Sequence, residues 1–240
     1  MANDAPSPYD LAGIIEHTLL NPGASHEDLK TLCEQAQQHG FVGVCVNAVN
    51  VRYCASVLRG TSVKPITVVG FPLGGSTPAA KAFAAREAVH NGALEVDMVI
   101  HVGALKNREY GVVMRDIEAV VQAVAPMPVK VIVEMALLSQ QEKMLACALA
   151  EAAGAAFVKT STGFGPGGAT VEDVALMRQV VGERLGVKAS GGVRTAAMAR
   201  ALVAAGASRL GCSASVAIVT SSVVTSAVVE RSEQKRARAP

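Results

Sequence analysis

Aromatic residues are nearly absent. The 240-residue chain has no tryptophan, three tyrosines and five phenylalanines, 3% in all. A surface that stacks the bases of single-stranded nucleic acid needs more rings than that. No charge of one sign dominates either. Lys and Arg number 22 against 20 Asp and Glu, a net +2, so no strong field draws the molecule to DNA or to a membrane. The basic run KRAR near the C-terminus reads as a solvated end, not a nucleic-acid contact.

Paired cysteines are also missing. Cys33, Cys45, Cys54, Cys147 and Cys212 form no C-x-x-C pair. An odd count without a disulfide framework suits a reducing compartment, so a cytoplasmic protein is expected. Each cysteine reads as a small buried hydrophobe. His17, His26, His39, His90 and His101 have no ligand spacing with one another or with cysteine, and no metal is expected. There is no P-loop or G-x-S-x-G elbow, and no cofactor is expected. The N-terminal MANDAPSPYD lacks the basic-then-apolar pattern of a secretory leader. From Leu210 to Val229 no charge appears for twenty residues, a membrane-spanning length. That run holds seven Ser or Thr and reads as a strand end followed by a helix with one buried face.

What is present is a repeated sentence: helix, glycine, strand, polar loop. Eight short runs read as strands: His17–Leu20, Gly43–Asn47, Ile66–Phe71, Glu95–Ile100, Lys130–Met135, Ala156–Thr162, Gly186–Ser190 and Ser208–Ser213. Most are nearly continuous in Val and Ile, as parallel strands buried on both faces should be. Ser25, Thr77 with Pro78 behind it, Ser139 with Glu142 three residues on, and Thr170 open the helical segments as caps. Gly40, Gly92, Gly154 and Gly206 close helices before the next strand. An open doubly wound sheet would carry its glycine loop after the first strand. Here such loops follow strands three, six and seven. The pattern predicts a single α/β domain over 1–230, a (β/α)8 TIM barrel with an extra N-terminal helix. A disordered basic tail is expected over 231–240.

Barrel active sites lie at the C-terminal ends of the strands. The strands deliver Asp97, Lys159 and Lys188 there. Strand five adds Lys130 near its start and Glu134 near its end. Lys159 and Lys188 fall on neighbouring strands at similar depth, each just before a Ser/Thr/Gly loop. Burial and a second cation both disfavour protonation, so a lysine here is pushed towards neutrality, and one of the two is expected to give up its proton while Asp97 pairs with the other. A free amine at working pH can attack a carbonyl and form a Schiff base. A lone strand lysine usually snorkels or pairs with an acid. Two on adjacent strands with an inward acid are harder to explain that way. Spacing alone does not say which of them is the nucleophile. The loops after strands seven and eight suit a phosphate, through backbone N–H groups. Gly191, Gly192, Gly211 and Ser213 are the candidates, with Thr162 and Gly163 after strand six. The glycine loop Gly70–Pro78 reads equally as a cover for the mouth or as a structural turn.

Together FVKTSTGF, GVKASGGVRT, EVDMVI, GFPLGG and HTLLNP resemble the deoxyribose-phosphate aldolase family, class I aldolases of deoxynucleoside catabolism. The resemblance runs from about Leu11 to Val229. It implies a lyase that reversibly cleaves 2-deoxy-D-ribose 5-phosphate to D-glyceraldehyde 3-phosphate and acetaldehyde. Lys159 would be the Schiff-base lysine, Lys188 the lysine that perturbs it, and Asp97 a member of the proton relay. It implies a small sugar-phosphate substrate, no nucleic-acid or membrane partner, and a homo-oligomer, dimer or tetramer. Four positions depart from the family pattern. Glu16 stands where Asp is common and His101 where Asn is common. Phe164 replaces a lysine that some members carry, leaving backbone donors, Ser213 and Arg194 for the phosphate. The tail lacks the tyrosine that some members carry. The residues themselves leave two rivals: another Schiff-base aldolase, and a barrel that binds a phosphorylated ligand without turnover.

Overall fold

The protein is described by a computed structural model over residues 8–221. Eight parallel strands close into one barrel in sequence order. They are β1 Ile15–Leu19, β2 Gly43–Val46, β3 Lys64–Val69, β4 Glu95–Val99, β5 Val129–Ile132, β6 Phe157–Lys159, β7 Gly186–Ser190 and β8 Arg209–Cys212. The order is the expected one, with ends differing by a few residues. The helices are α1 His26–His39, α2 Val51–Val57, α3 Pro78–His90, α4 Val102–Lys106, α5 Tyr110–Val124, α6 Gln140–Ala152, α7 Val171–Val181 and α8 Ala196–Ala204. Residues 215–221 are helical after β8. The expected helix ahead of the barrel is a 3-10 helix, Pro8–Ile14. It contains Gly13 and runs directly into β1, which leaves little length for α-helical bonding. The 231–240 tail and the end of the Leu210–Val229 run lie outside the described residues.

Local chemistry sets these boundaries. The Ser25 and Ser139 hydroxyls accept from Asp28 N–H and Glu142 N–H, each in a capping box. Thr77, Thr170 and Thr195 cap α3, α7 and α8 in the same way. Each such cap satisfies an N–H that helix geometry leaves unpaired, and is worth about 1 kcal/mol. Gly40 ends α1 at φ 68°, where its N–H reaches back to carbonyls of the last turn. That left-handed conformation is easy only for glycine.

Side chains alternate along each strand, so every strand has one face in the barrel and one against the helices. Val44, Val46, Val96, Met98, Val131, Val158, Val187, Ala189 and Leu210 belong to the large core, in positions alternating with those of the barrel interior. Two interior strands carry Cys45, Ile66 and Val68, a separate small apolar cluster that Leu20 and Phe71 pack against. Charged side chains share the interior with these and with Val99, Ile132 and Ser190. Glu16, Glu95, Asp97, Lys130, Lys159 and Lys188 are all buried. No helix among the described residues is long and apolar enough to cross a membrane.

Candidate active site

Register brings the expected side chains together. Lys159 lies opposite Lys188 across β6 and β7, and Asp97 lies opposite Lys130 across β4 and β5. Asp97 Oδ2 accepts from Lys159 Nζ at 2.8 Å and from Lys188 Nζ at 2.6 Å. Its Oδ1 accepts from Lys130 Nζ at 2.8 Å. Lys188 also donates to Glu16 Oε2. Lys130 reaches Glu95 Oε2 at 2.6 Å and Glu16 Oε1 at 3.3 Å. Arg209 Nη1 bridges Glu16 Oε1 and Glu95 Oε2, both at 3.0 Å. At the N-terminal rim, Lys64, 40% exposed, holds Glu95 Oε1 at 2.8 Å.

Counting these charges singles out one amine. Among the described residues, three buried carboxylates, Glu16, Glu95 and Asp97, hold Lys130, Lys188, Arg209 and, at the rim, Lys64. Lys159 is the remaining cation of the set. Among the described residues, its only carboxylate oxygen is one that Lys188 already shares. Burial lowers its affinity for a proton, Asp97 restores part of it, and the Lys188 ammonium lowers it again; the net shift is downward. Lys188 moves the other way. Burial presses it towards neutrality, but Asp97 and Glu16 more than offset that and hold it above the usual lysine range. The downward push expected from burial and a second cation thus falls on Lys159 and not on Lys188. Lys188 stays charged because two carboxylates face it, and a fixed cation perturbs Lys159 more strongly than a neutral amine would. Asp97 would be raised by burial, yet Lys130, Lys159 and Lys188 together keep it well below the usual carboxylate range.

Lys159 is the one side chain of this cluster that lines a cavity of about 560 Å³ at the barrel mouth. All six residues expected to bind phosphate line it as well: Thr162, Gly163, Gly191, Gly192, Gly211 and Ser213. Asp97 and Lys188 lie behind the lysine. The loops after β6 and β7 are held together as one wall. Ser190 Oγ donates to Ser161 O at 2.6 Å, and Ala169 N–H donates to Gly191 O at 2.9 Å. Gly191, at φ 88°, comes so near Gly168 that a Cβ would sit 3.1 Å from its Cα. The backbone N–H groups of Gly163 and Gly192 meet no acceptor among the described residues. Arg194 lines the same cavity. Phe164, 59% exposed, meets Phe71 edge-on at 5.3 Å. None of Gly70–Pro78 lines the cavity itself; Phe71 of that loop touches it through Phe164.

Glu16, Cys45 and Asp97 bring three donor atoms within 4.8 Å of one another. The two carboxylates already hold ammonium groups, and burial pushes the Cys45 thiol up to about 11. That donor set is made for cations of the chain itself. His101 caps α4, its Nδ1 accepting from Ala104 N–H at 3.1 Å, the task an asparagine there would also perform. His17 faces away from the barrel interior and bonds Gln35 and Ser215. Sequence reasoning missed Glu95 and Arg209, and gave Lys130 and Glu16 no role in the cluster. The signal was alternation: Glu95 shares the face of Asp97, and Lys130 stands beside that aspartate in register.

A family model described as DeoC/LacD family aldolase matches residues 14–218. The chain is 54% identical over 213 residues to the deoxyribose-phosphate aldolase of Thermoanaerobacter sp. (strain X514), across 88% of this chain and 96% of that one. It is 55% identical over 211 residues to that of Geobacillus sp. (strain WCH70), across 88% and 95%. A solved structure described as a unique tetrameric deoxyribose phosphate aldolase from Aeropyrum pernix superposes with a TM-score of 0.84 at 33% identity. That match covers 90% of this chain and 92% of that one.

Proposed function

The chain belongs to the DeoC/LacD aldolase family, and from that premise we propose that Lys159 is the amine through which it acts. It is an aldolase, a carbon–carbon lyase that cleaves 2-deoxy-D-ribose 5-phosphate to glyceraldehyde 3-phosphate and acetaldehyde. The observation that carries the assignment to Lys159 is the charge count. It is the buried amine left without a carboxylate of its own, and the one that reaches the cavity.

In this reading Lys159 attacks the C1 aldehyde of the open-chain sugar, and loss of water leaves an iminium. The C3 hydroxyl then gives up its proton through a water-assisted relay of Asp97 and Lys188. The C2–C3 bond breaks, glyceraldehyde 3-phosphate leaves, and the electron pair enters the enamine. Asp97 is a weak base while Lys130, Lys188 and the iminium surround it. When the iminium becomes a neutral enamine, one of those charges disappears, and Asp97 gains proton affinity as the proton arrives. Protonation and hydrolysis of the enamine release acetaldehyde and free Lys159. The phosphate lies against the N–H groups of Gly163, Gly191, Gly192 and Gly211, the Ser213 segment, and Arg194.

Borohydride added in the presence of acetaldehyde tests the assignment. Mass spectrometry should find a reduced two-carbon adduct on Lys159. An adduct on Lys188, or on neither lysine, would sink it. The five cysteines are all free and buried, which supports a cytoplasmic location, checkable by cell fractionation. The tetrameric relative and the exposed Val49, Leu73 and Phe83 support assembly as a dimer or tetramer. Light scattering decides between that and a monomer.

A further inference from the structure

Glu134 breaks two rules at once. It is a non-glycine residue in the left-handed region, at φ 57° and ψ 62°. Its carboxyl is buried, 3% exposed, and meets no cation among the described residues. Oε1 has no hydrogen-bond partner there at all. Outliers of this kind persist where the surroundings enforce them, and they gather at functional sites. The surroundings here are β6 and its loop. Val133 N–H donates to Lys159 O at 2.9 Å and Met135 N–H to Thr160 O at 3.0 Å, pinning the chain on both sides of the kink. The loop passes so close above that a Cβ at Gly165 would sit 3.0 Å from the Glu134 carboxyl carbon.

The other oxygen has a defined task. Glu134 Oε2 accepts from Thr162 N–H at 3.1 Å and from the Thr162 hydroxyl. A hydroxyl has one hydrogen to donate and two lone pairs. For Thr162 the hydrogen goes to Glu134, and one lone pair accepts from Phe164 N–H at 3.0 Å. One acceptor position is left, on a residue that lines the cavity. That cavity is shared with Lys159, three residues earlier in the chain, and with the glycine loops that suit the phosphate.

We propose that Glu134 is a positioning residue that makes the Thr162 hydroxyl an obligate acceptor, so that the site selects substrates with a hydroxyl midway between carbonyl and phosphate. This deepens the aldolase reading and rests on it. In that reading the selected group is the 2-hydroxyl of the aldehyde product. A hydroxyl can donate to Thr162; a bare methylene leaves the acceptor unpaired, and a carbonyl opposes it with a second acceptor. The carboxylate supports this better than an amide because its charge strengthens the bond from Thr162.

The test runs in the direction of carbon–carbon bond formation. Acetaldehyde is offered with D-glyceraldehyde 3-phosphate, or with 3-phosphooxypropanal, the same aldehyde without the 2-hydroxyl. The readout is the ratio of kcat/KM for the two acceptors. Glu134→Gln should lower that ratio about five- to tenfold, and Thr162→Val by at least as much. The double variant should be no worse than Thr162→Val. Mere structural loosening slows both acceptors together and leaves the ratio where it was; that result overturns the inference. Should Glu134→Gln not fold, Thr162→Val reads the same hydroxyl directly, and an undiminished ratio there overturns it too. Wild-type protein that joins acetaldehyde to neither acceptor overturns the aldolase reading and this inference with it.

Discussion

Lys159 and Lys188 face each other across β6 and β7 and donate to one and the same oxygen, Asp97 Oδ2, at 2.8 and 2.6 Å. One carboxylate oxygen cannot satisfy two ammonium ions equally. Lys188 has Glu16 besides and keeps its charge, while Lys159 has no further carboxylate among the described residues and is pushed towards the free amine. The asymmetry of the pair lies in what stands behind each lysine.

Replacing Lys159 with leucine removes the nucleophile and relieves the site of an unmatched cation. Lys159→Leu should lose cleavage of deoxyribose 5-phosphate by at least about four orders of magnitude and give no borohydride adduct. Its thermal unfolding should be unchanged or slightly raised. Retained turnover in a folded variant counts against the mechanism.

Lys188→Met acts on Lys159 twice with the same sign. The neighbouring positive charge is gone, and Asp97 Oδ2 is left to Lys159, while Oδ1 stays with Lys130. Both raise the affinity of Lys159 for its proton. Its pKa is lowered in the wild type, so the variant's acid limb of kcat/KM should move to higher pH, by about one unit or more. Part of the lost rate should return as pH is raised. A profile that falls uniformly without moving would contradict the coupling.

Glu95 links acid stability to the far end of the barrel. Burial would raise its carboxyl, but Lys130 and Lys64 overcome that and hold it at about 2, against 4.5 for the free group. A depressed carboxyl stabilises the fold above its unfolded value and loses that contribution as pH falls through the folded one. The window is thus about pH 4.5 down to 2, and the shift corresponds to about 3 kcal/mol. Urea unfolding at pH 7 and at pH 2 should show Glu95→Gln losing less stability than the wild type between the two. Equal losses would show that Glu95 does not titrate there.

Phe164→Lys places a cation where this chain has an exposed ring beside the cavity. A partly exposed ammonium near phosphate contributes about 0.5–1 kcal/mol, so KM for deoxyribose 5-phosphate should fall roughly two- to fivefold. The gain should fade at high salt, and KM for unphosphorylated deoxyribose should not follow it. A parallel change for both sugars would place Phe164 away from the phosphate.

Much of this was legible in one dimension. The caps at Ser25, Thr77, Ser139 and Thr170 are local hydrogen bonds among residues within three positions of each other, and local bonds can be read from local sequence. The eight apolar runs and their spacing implied a closed parallel barrel. The lysines within VKTSTG and VKASGG marked the strand ends that carry the chemistry. Less legible were partnerships between distant residues. Glu16 meets Lys188 across 172 positions and Arg209 across 193. Lys81 on α3 is spent on Asp116 of α5 at 2.5 Å and on Val99 O at 2.8 Å, inside a helix layer that no motif announced.

By itself the sequence determined the barrel, its order, the depth of the two lysines and the glycine walls above them, because alternation, capping and turn preference act between near neighbours. Only the tertiary structure decided which lysine holds its proton less tightly. That depends on how many carboxylates converge on each amine, and closure of the barrel sets the number by bringing β1, β4, β5, β7 and β8 around a single buried space. In that space charge must balance locally, and Lys159 is the cation left over.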